Sequence, residues 1–283
     1  MTQTGKVVVM IPALNEERSI GHVIDSIPRS KLASMGFEVE TIVLDGKSTD
    51  RTLDIAREKG ARIYIQNGNG KGSALRQAFS LRNPQEVVLR TLSLTSAIDS
   101  DLNSLSILLD SKYVIILDGD GTYPPACIPD LIESLEQGHD VVSGSRFKGT
   151  IEAGAMTGFN RLGNKMLSLI ASALYFKKVT DLCTGMWGFN TAALKGMNLD
   201  STHFDIEAEM FAECAKNGMR IEEVPITYLK RSGESKLMPM SAGFMIFRKL
   251  FQRRFSNASR PEVPVDKQKD KEVVRAGAGV GNT

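Results

Sequence analysis

Five short runs of β-branched and aliphatic residues recur along the first half of the chain, at 6–11 (KVVVMI), 38–44 (EVETIVL), 61–65 (ARIYI), 112–117 (KYVIIL) and 140–144 (DVVSG). Helical patterns separate most of them: 16–27, a stretch starting near Asp50, KGSALRQAFSL at 71–81 and IPDLIESLEQG at 128–138. Strand–helix alternation of this kind builds βαβ units, hence a mostly parallel sheet with helices on both faces. In such α/β sheets ligands sit beyond the carboxyl ends of the strands. The polar clusters of this chain fall at those ends. Asn15 and Glu16 follow the first run, Asp45 the second, 67–71 the third, and Asp118 and Asp120 the fourth. Four polar strand ends meeting at one crevice predict a binding site there.

The pattern changes after about residue 160. A long helix is expected over 160–176, a strand over 185–190, a helix over 204–218 and a strand over 220–229 that runs into the basic segment KRSGESK. The segment 83–111 is too long for a connector and is expected to be an inserted strand–helix excursion or a lid. The polar tail from Ser256 is expected to be disordered. The organisation is therefore one domain over 1–238, an amphipathic helix over 239–255 and the tail.

Within VIILDGDGTYPP, residues two apart on an extended chain point the same way, so Asp118 and Asp120 can face one ligand. Gly119 between them allows close approach. Paired hard oxygens suit Mg²⁺ or Mn²⁺ with substrate phosphates completing the shell. The other reading is a polar strand end turning into a helix that Pro124 and Pro125 begin. The position at the crevice favours the cation. NGNGKGSALRQAF puts glycines and Lys71 at a helix N-terminus, where free N–H groups attract anions. Gly72 follows Lys71, so this is not a P-loop, and a flexible helix cap remains an equal reading. Arg146, Arg161, Arg231 and Lys236 offer donors suited to phosphate oxygens. The acids Asp205, Glu207 and Glu209 alternate at a spacing that makes no single helical face, so Asp205 reads as an N-cap and Glu207 as an early-turn charge. Trp187 reads as core, and the three histidines show no ligand spacing.

A net charge of +2 excludes the strong field that nucleic-acid binding needs. Three widely spaced cysteines match no metal pattern and suggest a reducing compartment. The N-terminus does not read as a secretory signal and no apolar run approaches a membrane span, so a cytoplasmic chain is expected. In 240–255, Met240, Phe244, Phe247, Phe251 and Phe255 form one helical stripe flanked by Arg248 and Arg254, with Lys249 and Arg253 opposite. That composition fits peripheral contact with a membrane interface, or packing against the catalytic domain or a second subunit. The oligomeric state stays open, a homo-oligomer included.

The motifs IPALNEE, LDGKSTDRT, GNGKGSALRQAF, LDGDGTYPP, VVSGSRF, TDLCTGMWGFN and EVPITYLKRSGESKL occur in that order. Together they resemble a family 2 glycosyltransferase of the GT-A fold, in the dolichol-phosphate mannosyltransferase-like group, over about 7–237. The resemblance implies a Rossmann-like sheet and an inverting transfer of a hexose or N-acetylhexosamine from a UDP- or GDP-sugar to a dolichyl or polyprenyl phosphate. It implies that Pro12, Ala13, Asn15, Glu16, Lys71 and Gly119 bind the nucleotide sugar, with Asp45 on the base or ribose. Asp118 and Asp120 would hold Mg²⁺ or Mn²⁺ against the donor diphosphate, with Thr122 or water completing the shell. Arg146, Arg161, Arg231 and Lys236 would grip the acceptor phosphate or the diphosphate. Arg146 and Glu207 would share the catalytic centre with the aspartates. The rivals are a soluble phosphorylated acceptor of the 3-phosphoglycerate kind or a glycan, a nucleotidyltransferase, and a nucleotide-sugar sensor.

Overall fold

The computed structural model describes residues 5–80, 110–194, 197–231, 233 and 239–256. Seven strands form one sheet: β1 (Gly5–Ala13), β2 (Phe37–Asp45), β3 (Arg62–Ile65), β4 (Tyr113–Ile116), β5 (Val141–Ile151), β6 (Trp187–Asn190) and β7 (Ile221–Tyr228). They lie in the order β3-β2-β1-β4-β6-β5-β7. Neighbours run parallel except at β6, which is antiparallel to both β4 and β5. The expected mostly parallel α/β sheet is therefore present. The order reverses between β1 and β4, and a crevice opens at the carboxyl edge wherever a sheet switches direction in this way.

The helices are α1 (Ile20–Asp25), α2 (Arg29–Ser34), α3 (Thr52–Glu58), α4 (Lys71–Ser80), α5 (Ile128–Glu136), α6 (Gly158–Tyr175), α7 (Thr191–Leu194), α8 (Ile206–Lys216) and α9 (Pro239–Phe255). Along β1, Val8 and Met10 join the core that carries Leu75, Phe211 and Leu250, while Val7, Val9 and Ile11 join the core that carries Ile24, Leu32 and Leu131. Alternate side chains thus bury into opposite layers, which is why the strand reads as an unbroken apolar run.

Three elements differ from expectation. The first helix begins at Ile20 rather than near residue 16, because Glu16 and Glu17 give their N–H groups to Thr52 Oγ1 and Asp50 Oδ2 across the crevice. Helix α2, whose buried contribution is Leu32, was not expected. Strand β5 runs on to Ile151, paired with β7 as far as Tyr228. The expectations for 83–111 and for the tail concern residues that lie almost wholly outside those described.

Helix α9 is docked on the domain. Ile246 and Leu250 enter the core, and Tyr175 donates to the Leu250 carbonyl at 2.8 Å. On the side opposite its aromatic stripe, Arg253 Nε meets Glu209 at 2.6 Å and Lys249 pairs with Asp200. The stripe itself faces outward, with Phe244 68% exposed.

Candidate active site

The loop after β1 turns at Asn15, in the left-handed conformation (φ 52°) that asparagine tolerates. It is stitched to the loop after β2. Asn15 N–H donates to Ser48 Oγ (2.9 Å) and Asn15 Oδ1 accepts from Thr49 N–H (2.8 Å). Asp45 anchors that second loop, its carboxylate accepting from the Lys47 and Ser48 N–H groups at 2.8 and 3.0 Å. The side chain is fully buried. Burial and these backbone bonds engage the Asp45 carboxylate, expected on the base or ribose, in shaping the wall of the crevice.

Beyond β4, Gly119 lies against the end of β1 (N–H to the Pro12 carbonyl, 3.3 Å) and carries Asp118 and Asp120 into the crevice. Two chains of alternating charge meet there. Lys71 Nζ, at the start of α4, sits 2.5 Å from Asp118 and 2.6 Å from Glu207 of α8. Arg231 bridges Asp120 (3.0 Å) and Glu16 (2.5 Å). Two glycines make this possible. Gly70, at φ +89°, passes so close to the Thr202 carbonyl that a Cβ would strike it, which holds Lys71 beside the segment leading into α8. Gly185 leaves the space that the Asp118 carboxylate fills.

Pro12, Ala13, Glu16, Lys71, Asp118, Gly119, Asp120 and Arg231 line one cavity. Glu207 borders it through Lys71. Four carboxylates thus face two side-chain cations, a surplus of negative charge that suits a divalent ion completed by diphosphate oxygens and water. Among the described residues no group of three or more His, Cys, Asp or Glu forms a self-sufficient metal cage. Mg²⁺ commonly sits on one or two carboxylates plus substrate phosphates, so the pair fits that mode. Thr122 is not arranged as a further metal contact. Its N–H and Oγ1–H both bond Asp120 Oδ1, at 3.0 and 2.7 Å, fixing that carboxylate with the other oxygen toward Arg231.

Burial pushes Asp118 up to about 6, with Lys71 opposing the shift and Asp120 and Glu207 adding to it. The sign follows. The folded state holds this proton more tightly than the unfolded chain, so its contribution is fully present below about pH 4 and is lost as pH rises through about 6. Asp118→Asn is therefore expected to raise the melting temperature of the metal-free protein at about pH 8 by several degrees and to change it little near pH 4. Melting curves in a chelator check this, and a lower melting temperature at the alkaline pH contradicts it.

Arg146 does not line the cavity. It is 5% exposed, and Asp181 takes its Nε at 2.7 Å and its Nη2 at 2.6 Å, with the Cys183 carbonyl at 3.0 Å. A guanidinium held this way ties β5 to the segment before β6. Arg161 is exposed on the second turn of α6 and does not line the cavity. Asp205 occupies the N-cap position of α8 without capping it, because its carboxylate accepts from Ser201 Oγ (2.9 Å). Lys236 lies outside the described residues. Two further cavity residues, Gln66 and Phe204, carried no signal in the sequence. Gln66 is buried at the end of β3, and its Oε1 has no hydrogen-bond partner among the described residues. Such an acceptor is open to a donor group on a bound ligand.

The family model described as glycosyl transferase family 2 matches residues 8–88 and 108–197. A Haloferax volcanii protein named glycosyltransferase AglJ is 32% identical over 253 residues, covering 89% of this chain and 73% of its own length. A dolichyl-phosphate hexose transferase of the same organism is 32% identical over 238 residues, covering 84% of this chain and 89% of its own. The crystal structure of Mycobacterium tuberculosis glucosyl-3-phosphoglycerate synthase with Mn²⁺, UDP and phosphoglyceric acid superposes with a TM-score of 0.65 at 20% identity, covering 90% of this chain and 81% of that one. At that identity the likeness is one of fold.

Proposed function

The chain belongs to glycosyl transferase family 2, and from that premise we propose that it transfers a hexose or N-acetylhexosamine from a UDP- or GDP-sugar to a dolichyl or polyprenyl phosphate. The observation that carries the reading is the cavity at the β1/β4 switch, where Asp118 and Asp120 stand with Lys71 and Arg231. Relatives named as dolichyl-phosphate hexose transferase and dolichol-phosphate mannosyltransferase support the lipid acceptor.

In this reading Pro12, Ala13 and Glu16 wall the nucleotide side, and Lys71 and Arg231 bind oxygens of the donor diphosphate. Mg²⁺ or Mn²⁺ held by Asp118 and Asp120 would supply neutralisation of the departing nucleoside diphosphate. An acceptor phosphate oxygen attacks the anomeric carbon as the bond to the β-phosphate oxygen breaks, which inverts the configuration. The acceptor is already anionic near neutral pH, so the chain need not provide a strong base. Glu207 holds Lys71 in place, and Arg231 with the exposed Arg161 offers donors for the incoming phosphate. Arg146 contributes indirectly, by fixing the segment that carries Gly185 against Asp118.

Among the described residues no helix is long and apolar enough to cross a membrane. The enzyme would reach its lipid from the cytoplasmic face through the outward stripe of α9. That stripe favours the lipid over a soluble phosphorylated acceptor of the 3-phosphoglycerate kind. The test supplies UDP- and GDP-sugars, Mg²⁺ or Mn²⁺ and a short-chain prenyl phosphate. Release of nucleoside diphosphate that depends on the prenyl phosphate is expected. Equal release with 3-phosphoglycerate would move the acceptor to the soluble class, and no release with any acceptor would remove the proposal.

A further inference from the structure

Helix α6 carries an exposed apolar stripe of its own. Phe159, Leu162, Met166 and Leu169 follow one another at intervals of three, four and three, the repeat of a single helical face, and the exposed Phe176 caps the C-terminus of the helix in the left-handed conformation (φ 52°). Leu169 is 71% exposed and Phe176 86%. The opposite side, with Ser168 and Ala171, is buried in the domain. Helix α9 lies alongside, joined by the Tyr175 hydroxyl to the Leu250 carbonyl and by Arg254 Nε to the Leu174 carbonyl at 2.8 Å. Each helix thus turns its stripe away from the core they share. Soluble monomers rarely expose apolar faces of this extent without a partner.

Charge identifies the occupant. Neither helix contains an aspartate or glutamate, while Arg161, Lys165, Arg248 and Arg254 are all exposed on them. A second copy docked through a twofold contact would set this basic patch against itself with no carboxylate from either helix to pair it. An anionic lipid surface satisfies both features, taking the apolar side chains into its interface and the cations at its headgroups.

We propose that α6 and α9 together form one membrane-docking face specific for anionic lipid. It deepens the lipid-acceptor reading above and rests on that reading only for its purpose. Docking on two helices rather than one fixes the rotation of the domain about the membrane normal. It also brings the N-terminal turns of α6, with Arg161, to headgroup level.

The full chain is sedimented with phosphatidylcholine vesicles and with vesicles that also contain phosphatidylglycerol. Binding to the anionic vesicles is expected to be at least about tenfold stronger and to weaken as salt rises. The pair Leu169→Gln with Phe176→Gln, and separately Phe244→Gln with Phe255→Gln, are each expected to reduce it about tenfold. These side chains are exposed, so unchanged melting temperatures show that both pairs fold. Arg248→Glu is expected to remove much of the anionic preference while sparing the apolar contribution. Turnover of a water-soluble prenyl phosphate without vesicles should be unaffected by the α6 pair. The proposal is overturned if the α6 pair binds anionic vesicles like the wild type. It is overturned equally if the two vesicle types bind alike, or if the wild type is a dimer that the α6 pair converts to a monomer. Vesicle binding without turnover would remove the catalytic reading and leave this face standing; turnover without vesicle preference would do the reverse.

Discussion

Asp120→Ala is expected to lower kcat/KM by roughly 10²–10³-fold or more, the scale on which removal of a single electrostatic stabiliser acts. The geometry argues for a loss of this size. One oxygen of Asp120 is fixed by the Thr122 N–H and hydroxyl, and the other faces Arg231 at 3.0 Å within the cavity. Alanine removes one of the two carboxylates proposed to hold the divalent ion and half of what holds Arg231, while Glu16 keeps its own contact with that guanidinium. The fold should tolerate the change, because the carboxylate lines the cavity and is not part of the core. Initial rates of nucleoside diphosphate release, with melting temperature as the control for folding, check this. Near-normal turnover that still required a divalent ion would place the metal on other ligands.

Asp181→Ala carries the largest expected effect on stability, a loss of about 3–5 kcal/mol, typical of a buried ion pair broken from one side. Asp181 is fully buried and accepts from Arg146 three times, at the backbone N–H (2.9 Å), Nε (2.7 Å) and Nη2 (2.6 Å). Without it the Arg146 guanidinium stays inside the protein with the Cys183 carbonyl and the distant Asn164 amide oxygen (3.4 Å) as its remaining acceptors. Urea unfolding should show a lower midpoint with an unchanged slope. A loss below about 1 kcal/mol would mean that the guanidinium reaches water, at odds with its burial.

The sheet was legible because burial on both faces writes each strand as an apolar run, and the polar strand ends marked the crevice before any single motif did. Asp118 and Asp120 gained their meaning from that position, since Asp-Gly-Asp also suits an ordinary turn. What periodicity does not encode is which distant charge meets which. Lys71 finds Glu207 136 positions away and Arg231 finds Glu16 215 positions away, pairings that exist only once β1, β4 and α8 converge. For the same reason Asp45 and Arg146 were read as ligand contacts: a carboxylate or guanidinium at a strand end looks the same in sequence whether it faces a cavity or a buried partner. Helix α2 was missed because six residues with one buried leucine leave too short a pattern. In α9 the aromatic stripe was visible, but Ile246 and Leu250 show that the helix also completes the core.

In the proposed reaction the cavity at the β1/β4 switch binds a nucleoside diphosphate through Asp118 and Asp120 with a divalent ion. Titration calorimetry of UDP and of GDP, with and without Mn²⁺, on the wild type and on Asp120→Ala tests it most directly. Tight binding of one of the two nucleotides to the wild type is expected in the presence of Mn²⁺, and weak binding without the ion or in the variant. Equal affinity with and without Mn²⁺ in both proteins would contradict it.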